Sequence, residues 1–168
     1  MKLTWFGGKC LRVYIGGEII VFDPTGGPAE TDHAEVASGA DQIFEWSGPY
    51  KAADPKTWRP RRITALAEPA NEPVRVLLIG FDARLVDAAG EPPLVLMGGI
   101  EGAGNWARDA VVIAFSLHQA LAALNVLSPR LLALALPETQ LDPAIAELSS
   151  QLNGTSLVSL EPGLALEV

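Results

Sequence analysis

Residues 1–24, MKLTWFGGKCLRVYIGGEIIVFDP, decide the reading of the fold. Lys2 to Phe6 is a short apolar run stopped by Gly7-Gly8, and the runs Cys10 to Ile15 and Glu18 to Asp23 flank a second pair, Gly16-Gly17. A glycine pair between two runs rich in β-branched and aromatic residues predicts a two-residue hairpin, because glycine reaches the positive φ that such a turn demands. Pro24 has no N–H to continue a ladder and ends the third strand. The chain therefore opens strand, strand, hairpin, strand.

Outward from this block, residues 25–40 are rich in glycine and acids, with a short helix expected around Asp32 to Ala37, and QIFEW at 42–46 reads as a strand. Residues 47–62 hold three prolines and five cations, which predicts an irregular loop. Further strands are expected at 63–67, 74–81 and 94–97, with Ala88 to Pro93 turning between the last two. AVVIAF at 110–115 and LLALAL at 131–136 are continuously apolar, as buried strands are. Leu117, Leu121, Leu124 and Leu127 recur at helical spacing, so 116–127 reads as a helix capped by Ser116. A second helix is expected from the cap Asp142, with Pro143 at its first position, through Leu152. Strands at 156–160 and 164–168 close the chain about the turn Glu161-Pro162-Gly163. A strand-rich first half followed by strand–helix units predicts one α/β layered domain over residues 1–168.

Composition limits the function classes. A chain of 168 residues, 49% hydrophobic and 19% charged, is long enough to bury its own core; domains of this size bury roughly 70% of their unfolded surface. Twenty acidic against twelve basic residues give a net charge of -8, which opposes attraction to nucleic acid or anionic lipid, so neither is expected as a partner. No window approaches the roughly 18 apolar residues of a membrane span, and MKLTWFGGK lacks the apolar core of a signal peptide, so a cytoplasmic location is expected. The single cysteine, Cys10, excludes an intrachain disulfide and a multi-cysteine zinc site.

Residues 1–24 resemble the opening of metal-dependent hydrolases of the metallo-β-lactamase fold, especially the small ascorbate-phosphate lactonase-like branch. Those proteins begin with a strand ending in Gly-His-Ser-Cys, then a glycine hairpin, then a strand ending in Asp-Pro; Gly7, Cys10, Gly16, Gly17, Asp23 and Pro24 match in order and spacing. Ala40 to Phe44, Leu94 to Gly98, Ser128 to Leu131 and Leu160 to Gly163 follow the family outline more loosely. The resemblance implies a four-layer αββα sandwich of two mixed β-sheets, reduced in size.

It also implies a metal site, and there the sequence departs from the family. Catalytic zinc takes three protein ligands and keeps a position for an activated water. The family supplies ligands through His-x-His-x-Asp-His after the Ala-Asp strand, an Asp in Gly-Asp-Thr, and a late histidine. At the matching positions stand Glu45-Trp46-Ser47-Gly48-Pro49-Tyr50-Lys51-Ala52, then Gly98-Gly99-Ile100, and Leu136; the Gly-His of the opening has become Gly7-Gly8. The positions Gly8, Ser47, Pro49, Gly99 and Leu136 are therefore read as vestiges of a lost metal site, and neither a metal nor another cofactor is expected.

Other residues carry side chains capable of chemistry. Asp32-His33 precedes the 42–46 strand and has no second histidine nearby, so an exposed structural role is expected. Ser116 and His118 are two apart on a helix and diverge, so with Asp109 they do not read as a nucleophile with its base. Gly102 to Ala107 fits G-x-G-x-x-A by letter, but a strand rather than a helix follows it and Leu stands at position 124, so a loop is expected. Lys51, Lys56, Arg59, Arg61 and Arg62, interleaved with Tyr50 and Trp58, suit a solvated loop or a protein contact. Trp46, Tyr50, Trp58 and Trp106 are expected around the former metal cleft, filling or lining it. The residues favoured for ligand or partner binding are thus Trp46, Tyr50, Trp58, Arg59, Arg61, Arg62 and Trp106.

The functional expectation is a catalytically inactive binding or structural module that self-associates or binds a protein partner. The alternative is a hydrolase of a small ester, lactone or phosphoester, with a relocated metal held by His33, His118, Cys10, Asp23 or other carboxylates. A nucleotide-binding module resting on Gly102 to Ala107 and the cationic loop is a third class.

Overall fold

A computed structural model describes residues 1–62 and 72–168. The strand expected at 63–67 lies outside the described residues. The first three strands form as the sequence predicts: β1 (Lys2–Gly7), β2 (Cys10–Ile15) and β3 (Glu18–Phe22) pair antiparallel in succession. Gly16 and Gly17 take φ of 58° and 85°, the mirror-image turn whose twist matches the strands it joins. After a short helix α1 (His33–Ala37), capped by the Asp32 carboxylate, β4 (Gln42–Phe44) adds parallel to β3. The five-stranded sheet runs β12-β1-β2-β3-β4.

The second sheet has seven strands, in the order β11-β10-β9-β8-β7-β6-β5. Its members are β5 (Lys51–Ala53), β6 (Arg75–Ile79), β7 (Ala83–Asp87), β8 (Leu94–Leu96), β9 (Val111–Ala114), β10 (Leu131–Leu134) and β11 (Ser156–Ser159). β8 to β11 lie parallel, and β7 is antiparallel to both β6 and β8. β9 is buried on both faces, as its unbroken apolar run requires. One face of this sheet packs on the five-stranded sheet through Val86, Leu94, Val111 and Ile113. The other is covered by α2 (Leu117–Val126) and α3 (Glu138–Leu148). Ser116 caps α2 as expected, its hydroxyl accepting from the Gln119 N–H. On the far side of the five-stranded sheet the outer layer among the described residues is α1, whose Val36 packs over Cys10 and Val21.

Several expectations are corrected. Residues 47–62 are not wholly irregular, since Lys51–Ala53 pair parallel with β6 as an edge strand. The expected 74–81 strand ends at Ile79, and a separate strand, Ala83–Asp87, follows a tight turn at Gly80. The 42–46 strand stops at Phe44. α3 starts four residues before Asp142 and ends at Leu148, so Pro143 lies inside it. The N–H that proline lacks would have reached back only to the second helical residue, and the first turn closes instead by Gln140 N–H to Pro137 O at 2.8 Å. The closing strands do not pair with each other: β11 extends the seven-stranded sheet, while β12 (Ala165–Glu167) crosses to β1. The Gly102 to Ala107 segment carries a short 3-10 helix, Asn105–Asp109, rather than an irregular loop, and β9 follows it.

Candidate functional site

The parallel strand ends define one edge of the sandwich. β8, β9 and β10 finish there, β6 turns into β7 there, and from the facing sheet β1 turns into β2 and β4 ends. The positions that the sequence reading expects to be vestiges of a metal site sit on loops of this edge: Gly8 in the β1–β2 turn, Ser47 and Pro49 after β4, Gly99 after β8 and Leu136 after β10. Gly8, Ser47, Pro49 and Gly99 are exposed, whereas Leu136 is buried in the helix-covered core.

At the centre of this edge is an aromatic ladder. Phe22 stacks on Phe44 at 5.8 Å between centroids, and Phe44 on Tyr50 at 5.7 Å. Trp46 stands edge-on to Phe22 at 6.4 Å and to Phe115, from the opposite sheet, at 5.6 Å. Such pairs each contribute roughly 0.5–1.5 kcal/mol beyond the area they bury. The turn Glu45 to Gly48 is closed by Gly48 N–H to Glu45 O at 3.0 Å, and the Tyr50 hydroxyl donates to the same carbonyl at 2.6 Å. The stretch where the resemblance places histidine ligands is thus a bank of rings bridging the two sheets.

Among these rings lies a charge that the sequence reading missed. Arg84, on β7, is only 6% exposed. Its guanidinium carbon is 4.2 Å from the Tyr50 ring centroid and 5.4 Å from that of Trp46. It donates to the carbonyls of Asp82, at 2.8 Å, and of Trp46. Its Nε has no partner, and no carboxylate within 4 Å pairs with it among the described residues. Lys9, in the β1–β2 turn, places its ammonium 4.9 Å from the Trp46 ring centroid. The signal in the sequence was an arginine inside an otherwise apolar strand, Ala83-Arg84-Leu85-Val86.

Gly98 and Gly99 have a structural reason of their own. The β6–β7 turn lies backbone on backbone against them: Phe81 N–H donates to Gly99 O at 2.7 Å, and Gly99 N–H donates to the Asp82 carboxylate. A Cβ on Gly80 would come within 2.2 Å of Gly99 O, and Gly80 has a φ of 62°. Beside this contact a cleft of about 310 Å³ is lined by Phe81, Asp82, Glu101 and His118 among others.

The four expected aromatics do not share one cleft. Trp46 and Tyr50 pack between the sheets, whereas Trp58 and Trp106 belong to the core on the other face of the seven-stranded sheet. There they meet edge-on at 4.9 Å, and Trp106 Nε1 donates to Pro55 O at 2.7 Å. A tryptophan contact on that face fastens the cationic loop onto Gly102–Gly104, with Gly104 N–H on Pro55 O. Arg61 is committed internally: its Nε donates to the buried Asp87 carboxylate at 2.8 Å and its Nη1 to Glu72 at 2.8 Å. That contact holds the Glu72 carboxyl below its ordinary range. Arg59 is exposed and bonds only to the carbonyls of Lys56 and Trp58, and Arg62 is exposed.

A metal does not fit this edge. No group of three or more His, Cys, Asp or Glu in a metal-holding arrangement occurs among the described residues. Of the ligands expected for a relocated ion, His33 is on α1 and His118 on α2, while Cys10, fully buried near Pro24 O, and Asp23, whose charge acts on it, form a pair only. Two cations flank Trp46, and their charge opposes a divalent ion in the same place.

No protein-family model matches the chain, and no curated protein matches it. Among solved structures, it is similar to a proposed Zn-dependent hydrolase of the metallo-β-lactamase superfamily from Thermotoga maritima, at 13% identity and a TM-score of 0.54. That match covers 96% of this chain and 99% of the other. It is also similar to Igni18, a metallo hydrolase from the archaeon Ignicoccus hospitalis, at 13% identity and a TM-score of 0.51, covering 99% and 98%. The fold is metallo-β-lactamase-like, with two mixed sheets and few helices.

Proposed function

We propose that this protein is a catalytically inactive form of the metallo-β-lactamase scaffold, acting as a binding or structural module. The observation that supports this reading is the Trp46–Arg84–Tyr50 stack at the strand-end edge, in the segment where the resemblance puts metal ligands. Water activation by zinc needs an open coordination position backed by three donors. Aromatic bulk and a fixed positive charge beside the 45–50 segment disfavour such a position. Rings that bridge the sheets stabilise the scaffold and leave an edge suited to recognition rather than turnover.

Exposed Arg59 and Arg62, on the loop fastened by Trp58 and Trp106, suit a contact with an acidic surface, including that of a second copy of this chain with its net charge of -8. No helix among the described residues is long and apolar enough to cross a membrane.

The test is hydrolysis of chromogenic ester, lactone and phosphodiester substrates with and without added zinc or manganese. The reading expects turnover no faster than buffer under every condition. Metal-dependent turnover that disappears with chelator would overturn it. Light scattering after size exclusion reports self-association, which the reading expects and which a strictly monomeric mass would remove.

A further inference from the structure

We propose that the Lys9–Trp46–Arg84 edge binds a small oxyanion, a carboxylate or a phosphate. The inference rests on the module reading and names the class of ligand such a module takes.

The argument begins with an imbalance. A guanidinium carries five N–H donors and a full positive charge. Arg84 is 94% buried by its 6% exposure, yet its acceptors are peptide carbonyls: Asp82 O at 2.8 Å, Trp46 O, and Ala83 O at 3.5 Å, the last too long to hold much. Nε is left without an acceptor among the described residues. Burying a charge is costly unless it is both paired and hydrogen-bonded, and ring faces return only part of that cost. Two other arginines of this chain pair with carboxylates, whereas Arg12 bonds to the carbonyls of Val36 and Ser38. Arg61 takes Asp87 and Glu72, and Arg75 takes Glu72. Arg84 has no such partner among the described residues, in a chain with eight more acids than bases.

Lys9 supplies the second half. It is exposed, has no ion pair among the described residues, and lies against the same indole as Arg84. Lys9 and Arg84 each lie against this indole with no carboxylate partner among the described residues, and an anion there would supply the acceptor that Arg84 Nε lacks. The planar fork of arginine selects oxygens set as in a carboxylate or phosphate over a halide. Nε is shielded from solvent, so binding requires one of the two rings stacked on the guanidinium to swing aside. The indole therefore reports occupancy.

The experiment titrates inorganic phosphate and, separately, acetate into the full chain at ionic strength held constant with chloride. Tryptophan fluorescence and melting temperature are followed in the wild type, Lys9→Met, Arg84→Met and Trp46→Phe. A saturable change with either anion is expected, absent from Trp46→Phe in fluorescence. Lys9→Met, an exposed substitution that leaves the core intact, should weaken binding by about tenfold or more, the loss of one charge-assisted hydrogen bond. A response to phosphate alone, acetate alone or both supports the inference and identifies the ligand group. No response beyond the chloride control, or equal affinity in Lys9→Met, overturns it. A result in which no anion binds and no metal is present overturns this inference alone, whereas stoichiometric bound metal overturns the module reading beneath it.

Discussion

The coupling between Trp46 and Arg84 can be measured by a double-mutant cycle of Trp46→Leu, Arg84→Met and the pair. Trp46→Leu removes two edge-on aromatic contacts, to Phe22 at 6.4 Å and Phe115 at 5.6 Å, and much of the ring volume; a loss of about 2–4 kcal/mol follows. Arg84→Met leaves the carbonyls of Asp82 and Trp46 without their donor but also removes a buried charge, so the single change alone decides little. The cycle isolates what matters. The Trp46 carbonyl survives in every variant, so the interaction energy reports the ring and the guanidinium at 5.4 Å. For a largely desolvated pair it should be about 1–2 kcal/mol. Urea unfolding followed by far-UV circular dichroism, with an unchanged slope, gives each free energy. In a chain of this length the same coupling appears as a melting-temperature non-additivity of about 2–8 °C. Additivity within about 0.3–0.5 kcal/mol would refute the claim that the stack holds the two sheets together at this edge.

Three further outcomes follow from the same geometry. Gly80→Ala should destabilise by more than about 2 kcal/mol, combining left-handed strain with displacement of the Gly99 carbonyl, whereas Gly17→Ala, at φ 85° with nothing within 4 Å, should cost only about 1 kcal/mol; thermal melts compare them. Arg61→Met strands the buried Asp87 carboxylate and should cost about 3–5 kcal/mol in urea unfolding. The Cys10 thiol is pushed from 9.0 up to about 11, by burial first and then by the Asp23 charge. Because the folded thiol holds its proton more tightly than the unfolded one, its contribution is complete below pH 9.0 and is lost as pH rises towards 11. The urea midpoint of the wild type should therefore fall more steeply over that range than that of Cys10→Ala, and parallel curves would contradict it.

The legible parts of the sequence are those where local chemistry and tertiary packing agree. Gly16-Gly17 demands its turn wherever it stands, the apolar runs of β9 and β10 suit a strand covered on both faces, although LLALAL also has helix propensity, and Ser116 with the leucines after it specifies α2 within one residue. The missed elements are defined by partners distant in sequence. Lys51–Ala53 is a strand only because β6 offers an edge. Ala83–Asp87 carries two charges that interrupt its apolar pattern, and they are buried because Tyr50 and Trp46 arrive over Arg84 and Arg61 arrives over Asp87. The site shows the same division. The segment 45–50 was located by the order of motifs, but the cation that fills it comes from a different sheet. Trp58 and Trp106 fell near the edge in the chain yet pack on the opposite face of the seven-stranded sheet, because a residue's side of a strand depends on register that composition does not encode.

The most direct measurement is elemental analysis of the protein purified without chelator and then equilibrated with zinc, manganese and iron before gel filtration. With guanidinium and ring faces at the strand-end edge, the eluted chain should carry none of these ions in stoichiometric amount. One or two tightly retained ions per chain, lost on mutation of residues at that edge, would contradict the account.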